Sequence, residues 1–382
     1  MLSRADFSIP DDIVYWNFAG MSALPQRVLM AGREAVERKA QPWTLPIDYH
    51  FFAETDLARA EFAGLIGAQL EDIALHPSAT YGVETSVRNL LTQNWLQSGD
   101  EILMPDEEFP ALRYPLARLA KQIGARLVRV PRPRDQNWTR AIHEAINSRT
   151  RVVALTPCHW TDGARIDVGS LAHEARQRDA IVIVDACQSA GAVPLNAREW
   201  QADFIVAPTY KWLLGPYSFS FMYVDPNSPL KATEPLEEYW ASREGAQDFA
   251  ALVRDLDNYQ AGARRFDVGE RANLQLLPMA IEALRVIREI KPERIADELS
   301  TWTELLAHQL GKMGFQLPPP EQRSPHMLGI RQPQGWRPGL LERLEAQGIY
   351  VSQRGEVLRL SPHLNISASD VEKLLRALSE EI

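Results

Sequence analysis

The chain has few cysteines and no long apolar run, and both shortages limit what kind of protein it can be. Cys158 and Cys187 are its only cysteines among 382 residues, so a disulfide framework is excluded and a reducing cytoplasm is expected. Neither cysteine lies in a His/Cys cluster with the spacing of zinc ligands, and we expect no metal site. No stretch approaches the roughly 18 apolar residues that a membrane helix requires. Residues 1–16 lack the basic and then apolar pattern of a signal peptide.

Positive charge is not in excess either. The formal net charge is −9, which does not indicate a nucleic-acid partner. The composition, 45% hydrophobic and 24% charged, is that of an ordinary globular protein. A chain of 382 residues is long enough for a large core and two domains.

Strand-like apolar runs alternate with helix-like periodic segments from about residue 55 to 225, which predicts parallel βαβ units. The helix predicted near 55–67 ends at Gly67, and another closes at Gly124. A long helix is predicted from Asn273 to just before Pro292. Residues 293–382 carry the mixed pattern of a smaller α+β unit.

The most informative segments are "IVIVDACQSAGAVPL" (181–195) and "DFIVAPTYKWLLGP" (203–216). Each begins as a buried strand; the first ends at Asp185 and the second runs into a turn with Lys211. Opposite charges then meet at the sheet edge where α/β proteins bind ligands. Pyridoxal 5′-phosphate (PLP) needs this pair, a carboxylate for its ring nitrogen and a lysine for the Schiff base. Burial should lower the pKa of Lys211. The alternatives are a surface lysine and a helix-capping aspartate.

Polar residues nearby suit the remainder of that cofactor. Ser78, Ala79 and Thr80 lie where a strand turns into a helix, and free N–H groups there attract phosphate; the alternative is an ordinary N-cap. Tyr210 could donate its hydroxyl to the same phosphate. Gln188 would reach the ring-hydroxyl side, or is simply a loop amide.

Three further side-chain types are candidates. Phe109 could cover the ring face or belong to the core. Arg354 and Arg359 flank a short strand, and a guanidinium is the best partner for a substrate α-carboxylate, although an exposed strand arginine is the alternative. His159 and His363 are possible acid/base groups, but lone histidines are more often structural.

Several segments together resemble a known family. They are "NFAGMSALP" (17–25), "SATYGVETSV" (78–87), "EEFPALRYP" (107–115), "DACQSAGAVPLN" (185–196), "ADFIVAPTYKWLLGP" (202–216), "RRFDVGERANLQLLPMAIEAL" (264–284) and "QRGEVLRLSPHLN" (353–365). In this order they resemble the fold-type-I PLP-dependent enzymes, specifically the class V aminotransferase-like group. That group includes cysteine desulfurases, kynureninase, isopenicillin-N-epimerase-like proteins and carbon–sulfur lyases.

The resemblance implies a role for each matching residue. It makes Lys211 the Schiff-base lysine and Asp185 the ring-nitrogen partner. It assigns the remaining contacts of cofactor and substrate to Gln188 (phenolic oxygen), Phe109 (ring face), Ala79, Thr80 and Tyr210 (phosphate) and Arg359 (substrate carboxylate). It also implies a homodimer in which residues 264–273 approach the partner's cofactor.

Departures from the family pattern narrow the function. No cysteine follows Cys187, so a desulfurase with persulfide transfer is not expected. Phe109 stands where desulfurases have histidine, which favours the kynureninase- and epimerase-like branch. Trp160 stands where desulfurases have an asparagine near the ring oxygen.

The fold class expected from the resemblance is α/β: a large PLP-binding domain with a mainly parallel seven-stranded sheet, residues 16–262, and a smaller α+β domain, residues 1–15 and 263–382. The expected activity acts on an amino acid through a Schiff base and deprotonation at Cα. We favour a lyase that eliminates a sulfur-linked β-substituent. An aminotransferase, an epimerase and, more remotely, a non-catalytic protein that kept the fold are the alternatives.

Overall fold

The computed structural model describes residues 2–382, and its core is a seven-stranded sheet. The strands in chain order are β1 (Val14–Tyr15), β2 (Ile73–His76), β3 (Glu101–Pro105), β4 (Arg126–Val130), β5 (Thr150–Leu155), β6 (Ile181–Asp185), β7 (Phe204–Pro208), β8 (Ser220–Val224), β9 (Leu328–Ile330), β10 (Ile349–Tyr350), β11 (Ser352–Arg354) and β12 (Val357–Leu360). The large sheet has the order β2-β8-β7-β6-β5-β3-β4. Six strands of that sheet run in the same direction, and β8, between β2 and β7, runs in the opposite one.

Helices cover both faces of this sheet, as a parallel sheet requires. The α-helices are α1 (Gln26–Lys39), α2 (Glu54–Ile66), α3 (Ala79–Thr92), α4 (Pro110–Ile123), α5 (Trp138–Ala145), α6 (Val168–Arg176), α7 (Ala197–Trp200), α8 (Leu276–Ile290), α9 (Pro292–Lys312), α10 (Leu340–Ala346) and α11 (Ala368–Ser379). One apolar core joins α2, α5, α6 and α8 to one face, and a second joins α3 and α4 to the other. The strands between these two cores are therefore continuous apolar runs.

Two predicted helix C-termini, at Gly67 and Gly124, agree with the structure, whereas the predicted start of the helix near Asn273 differs from it. Gly67 and Gly124 adopt φ values of 70° and 76° after α2 and α4, a left-handed conformation that glycine reaches without strain. The helix predicted from Asn273 begins at Leu276 instead. The reason is local: Asn273 Oδ1 accepts hydrogen bonds from the N–H groups of Gln275 and Leu276.

A smaller unit follows the large sheet. β11, β12 and β9 form an antiparallel sheet beneath a third apolar core, to which α9, α10 and α11 contribute. The N-terminal strand β1 joins this unit by pairing in parallel with β10, Val14 opposite Ile349. The expected α/β architecture, a mainly parallel seven-stranded sheet plus a smaller α+β unit, is confirmed. Within residues 2–382, no helix has both the length and the apolar character needed to cross a bilayer.

Candidate active site

The candidate residues come together because most of them follow the carboxyl ends of strands that point the same way. β2 leads into Ser78, β3 into Phe109, β5 into Trp160, β6 ends at Asp185, and β7 leads into Lys211. These ends share one edge of the sheet, the position at which open α/β sheets bind ligands.

Lys211 is buried at this edge, with 7% of its surface exposed. Its Nζ lies 5.5 Å from the ring centroid of Phe109 and 5.5 Å from that of Tyr210. Burial lowers the pKa of Lys211, and the positive charges of Arg359 and Arg354 lower it further, against the opposing effect of Asp185. A lysine in these surroundings gives up its proton more readily than one in water, as a nucleophile or base requires.

Asp185 is 4% exposed and closes β6, where it lies opposite Val206 of β7. Its Oδ1 accepts a hydrogen bond of 2.9 Å from the Cys187 N–H. The residues after Asp185 form turns, and the next helix begins at Ala197, so the helix-capping alternative is wrong. Asp185 lies at the same sheet edge as Lys211, whose pKa its charge raises.

Glu108 belongs to the same cluster, although no pattern in the sequence distinguishes it as a site residue. It is 2% exposed; its Oε1 accepts from the Phe109 N–H at 2.7 Å, and its Oε2 has no hydrogen-bond partner among residues 2–382. Burial, with the charge of Asp185, raises the pKa of Glu108 to about 8. The site therefore holds a carboxyl group that is largely protonated at neutral pH.

A cavity of about 220 Å³ extends from Lys211 to the start of α3, lined among others by Ser78, Thr80, Phe109 and Tyr210. Ser78 Oγ accepts from the Tyr81 N–H at 3.1 Å, which confirms the N-cap alternative for this serine. The N–H groups of Ala79 and Thr80, in the first turn of the helix, have no acceptor within the helix. They and the helix dipole suit a phosphate.

The Gln188 side chain makes two hydrogen bonds inside the fold. Its Nε2 donates to the Ala19 carbonyl at 3.1 Å, and its Oε1 accepts from Trp212 Nε1 at 2.9 Å. The His326 Nε2 lies 2.5 Å from the Gln188 carbonyl oxygen. The side chain thus connects the N-terminal segment to the turn that carries Lys211 and Trp212. Its place beside the cofactor's phenolic oxygen stays a prediction.

Arg359 lies on β12 and is 1% exposed, so the exposed-arginine alternative is wrong. Its Nε donates to Ser352 Oγ at 3.1 Å and its Nη1 to the Trp160 carbonyl at 2.6 Å, while Nη2 is buried without a partner among the described residues. Burial, with the nearby charge of Arg354, lowers the pKa of Arg359 to about 9. A buried guanidinium without an anion is costly, and a bound carboxylate would offset that cost.

Arg354 and Phe109 both contact Trp160. The Arg354 guanidinium carbon lies 5.6 Å from the centroid of the Trp160 ring, and the Phe109 ring meets that ring edge-on at 5.2 Å. The Trp160 Nε1 donates to the Glu107 carbonyl at 2.6 Å. Trp160 thus contacts both Phe109, which lines the cavity, and Arg354.

The two histidines occupy packing positions. The His159 ring stacks on Trp138 at 5.0 Å and is hydrogen-bonded to Thr161 through Nδ1. The His363 ring stacks on Phe18 at 5.2 Å, and burial lowers its pKa to about 3. These positions support the structural interpretation of both.

The residues fit three of the polar groups of PLP. The start of α3 suits the phosphate, Lys211 suits the aldehyde, and Asp185 suits the ring nitrogen. Arg359 keeps an unpaired Nη2 for a substrate carboxylate. In the described part of the chain, no group of three or more His, Cys, Asp or Glu side chains is placed to hold a metal ion.

Comparisons with known proteins bear on the family and the fold. The family profile described as Aminotransferase class-V matches residues 14–377. The uncharacterized aminotransferase YcbU of Bacillus subtilis (strain 168) is 28% identical over 314 residues, 81% of this chain and 79% of that protein. Isopenicillin N epimerase of Streptomyces clavuligerus is 27% identical over 335 residues, 84% of this chain and 83% of that protein.

Solved structures share the fold. A variant of C-DES with glycine covalently linked to its PLP cofactor matches with a TM-score of 0.88 at 20% identity, over 100% of both chains. The complex of the cystine C–S lyase C-DES with its reaction product, cysteine persulfide, has a TM-score of 0.84 at 20% identity over 97% of this chain and 98% of that one. At these identities the likeness concerns the fold.

Proposed function

Because this chain belongs to the class-V aminotransferase family, it is a PLP-dependent enzyme, and we propose that it eliminates a sulfur-linked β-substituent from a cysteine-like amino acid. The observation that carries the proposal is the buried Lys211, together with the buried Arg359, whose charge acts on Lys211 and whose Nη2 has no partner among the described residues. A base of lowered pKa and a carboxylate anchor are what proton removal from Cα of an amino acid needs.

The proposed roles follow from the site. Bound PLP supplies an aldehyde that joins the substrate's amino group and a ring that accepts the electron pair left at Cα. Lys211 holds the cofactor and then takes the Cα proton, while Asp185 pairs with the ring nitrogen. Arg359 binds the α-carboxylate and thereby orients the Cα–H bond toward Lys211 Nζ. Phe109, which lines the cavity, covers one face of the cofactor ring in this proposal.

The cysteines favour elimination over persulfide transfer. Burial raises the pKa of Cys158 to about 12 and also raises that of Cys187. A thiolate is the form that accepts sulfur, and burial disfavours that form at both residues. Elimination needs no such thiolate, because the leaving group departs into solution. C-DES, which shares the fold, is a cystine C–S lyase.

An aminotransferase is the second candidate, favoured by the match to YcbU over 81% of this chain. The same Lys211 would then return the proton to the cofactor carbon instead of expelling a group from Cβ. An epimerase would require a second base on the opposite face of the substrate. The described structure offers no group that we assign to that role.

The products distinguish these reactions. Purified enzyme with PLP is incubated with L-cystine and S-substituted cysteines, and pyruvate and ammonia are measured. Equal amounts of both, absent from Lys211→Ala and present in the surface control Lys121→Ala, are the expected result. A new amino acid that forms only when a 2-oxo acid is added would establish transamination instead, and D-amino acid without pyruvate would establish epimerisation.

We also propose a homodimer in the cytoplasm. Met30, Val36 and Trp43 expose 46%, 60% and 80% of their surfaces on or just after α1, and a second subunit could cover them. The two free cysteines suit a reducing compartment. Light scattering tests the dimer.

The division into a large domain, residues 16–262, and a small domain, residues 1–15 with 263–382, is also a proposal. The pairing of β1 with β10 supports it, because it joins the N-terminal strand to the C-terminal unit.

A further inference from the structure

The site contains one more positive charge than the proposed chemistry uses. Lys211 serves the cofactor and Arg359 the α-carboxylate, which leaves Arg354. The charges of Arg354 and Arg359 both lower the pKa of Lys211, so all three cations act on one site. Arg354 does not line the cavity between Lys211 and the start of α3, so the phosphate is not its partner.

Nothing in the described chain neutralises Arg354. Its Nη1 donates to the carbonyl of the neighbouring Gln353 at 2.7 Å, and no carboxylate among residues 2–382 lies within ion-pair distance. Burial alone lowers its pKa. Some partly buried arginines are paired, such as Arg132 with Glu107 at 2.8 Å, whereas Arg265 and Arg323, like Arg354, have no carboxylate within ion-pair distance in the described part of the chain. What distinguishes Arg354 is its position on the hairpin that also carries Arg359.

Trp160 fixes the relation between the two arginines. Arg359 donates to its carbonyl oxygen, and the guanidinium of Arg354 lies 5.6 Å from its ring centroid. The antiparallel hairpin β11–β12 holds both arginines, with Arg354 opposite Val357 and Ser352 opposite Arg359. Arg354 lies two positions from Ser352 on β11, so it is a diagonal neighbour of Arg359 on the same face of the hairpin. Two cations at this spacing suit a short molecule with two acidic groups.

We propose that the substrate carries a second acidic group on its side chain, a carboxylate or an oxyacid of sulfur, which Arg354 binds while Arg359 binds the α-carboxylate. The inference rests on the proposed function, because it assumes an amino acid on Arg359. For an elimination, the leaving group itself bears the acid. The Cα–H and Cβ–S bonds break and a Cα–Cβ double bond forms, the electron pair of the C–S bond departs with the sulfur, and the proton removed from Cα remains on Lys211.

A binding test without chemistry separates this inference from the reaction. The test uses two pairs of ligands without an amino group: succinate with succinamate, and glutarate with glutaramate. Within each pair, the second compound has a neutral carboxamide in place of one carboxylate. Calorimetric titration of the PLP-bound enzyme gives a Kd for each. We expect whichever dicarboxylate binds more tightly to have a Kd about tenfold to hundredfold lower than that of its monoamide. This ratio corresponds to the free energy of a charge-assisted hydrogen bond.

Variants test whether Arg354 causes the preference. In Arg354→Gln the ratio of the two Kd values should fall to about one, while Arg354→Lys keeps part of it and the exposed control Arg376→Gln keeps all of it. A wild-type enzyme that binds acid and monoamide equally would overturn the inference, as would an unchanged ratio in Arg354→Gln. If Arg354→Gln does not fold, the wild-type comparison still decides.

The substrate pair S-carboxymethyl-L-cysteine and S-carbamoylmethyl-L-cysteine extends the test to turnover. The acid should have the higher kcat/KM, and Arg354→Gln should equalise the two through KM. Absence of pyruvate from both, with the succinate preference intact, would reject elimination and leave the acidic-substrate inference standing.

Discussion

The Arg359 guanidinium donates a 2.6 Å hydrogen bond to the Trp160 carbonyl, which joins the small antiparallel sheet to the loop after β5. The two residues are 199 positions apart in the chain. The contact places a buried cation of the small unit at the edge of the large sheet that carries Asp185 and Lys211. In the proposed function, binding of the α-carboxylate therefore depends on the packing between the two units.

Removal of this cation should weaken substrate binding more than it weakens the fold. We expect Arg359→Gln to raise KM about tenfold to hundredfold, because a charge-assisted hydrogen bond to the α-carboxylate is lost. The free energy of unfolding should change little, since the wild-type guanidinium is buried without an anion. Steady-state kinetics and thermal unfolding measure the two effects. A KM within twofold of wild type would contradict the assigned role.

Lys211→Ala should abolish turnover and preserve the fold. The amine is buried and its pKa is lowered, so its loss removes a desolvated group and should leave the unfolding temperature equal or higher. Lys121→Ala, on the surface of α4, is the matched control for the loss of a lysine. Turnover and circular dichroism are the measurements, and residual activity in Lys211→Ala comparable to wild type would exclude Lys211 as the base.

Glu108 should make stability depend on pH. Its carboxyl pKa is about 8 in the folded state against 4.5 ordinarily, so between these values the folded chain holds a proton that the unfolded chain releases. The contribution of Glu108 to stability is therefore present below about pH 4.5 and is lost as the pH rises to about 8. The slope from one such group is at most about 1.4 kcal/mol per pH unit.

Denaturant unfolding of the cofactor-free protein from pH 5 to 8 measures this slope. Glu108→Gln cannot ionise and should unfold with a flatter pH dependence than wild type. The exposed carboxylate variant Glu34→Gln should keep the wild-type slope. If Glu108→Gln and wild type lose stability in parallel, Glu108 is ionised in the folded protein and the assignment fails.

Trp212→Phe should destabilise the turn that carries Lys211. The variant removes the Nε1 donor and leaves the buried Gln188 Oε1 unpaired, a cost of about 1–3 kcal/mol. Trp336→Phe is a matched control, since its indole donates to the Glu356 carbonyl at a half-exposed position. A free energy of unfolding measured for both should fall further for Trp212→Phe. Equal losses would mean that the Gln188 contact contributes nothing specific.

Asp185 and Lys211 could be predicted because each ends a continuous apolar run, and the carboxyl ends of parallel strands must share an edge. Ser78 was open to two interpretations, and only the structure shows that its hydroxyl caps α3. Glu108 was missed because a glutamate in a polar "DEEF" loop carries no sign that it is buried. The contact of Arg359 with Trp160 depends on packing between the two units, which no local pattern encodes.

The measurement that tests the central claim most directly is borohydride reduction of the purified enzyme with PLP, followed by peptide mass spectrometry. We expect a visible absorbance band that disappears on reduction and a phosphopyridoxyl group on the peptide that contains Lys211. A protein with no such band after PLP is added, or a label on a different lysine, would contradict the assignment of Lys211 as the residue that holds the cofactor.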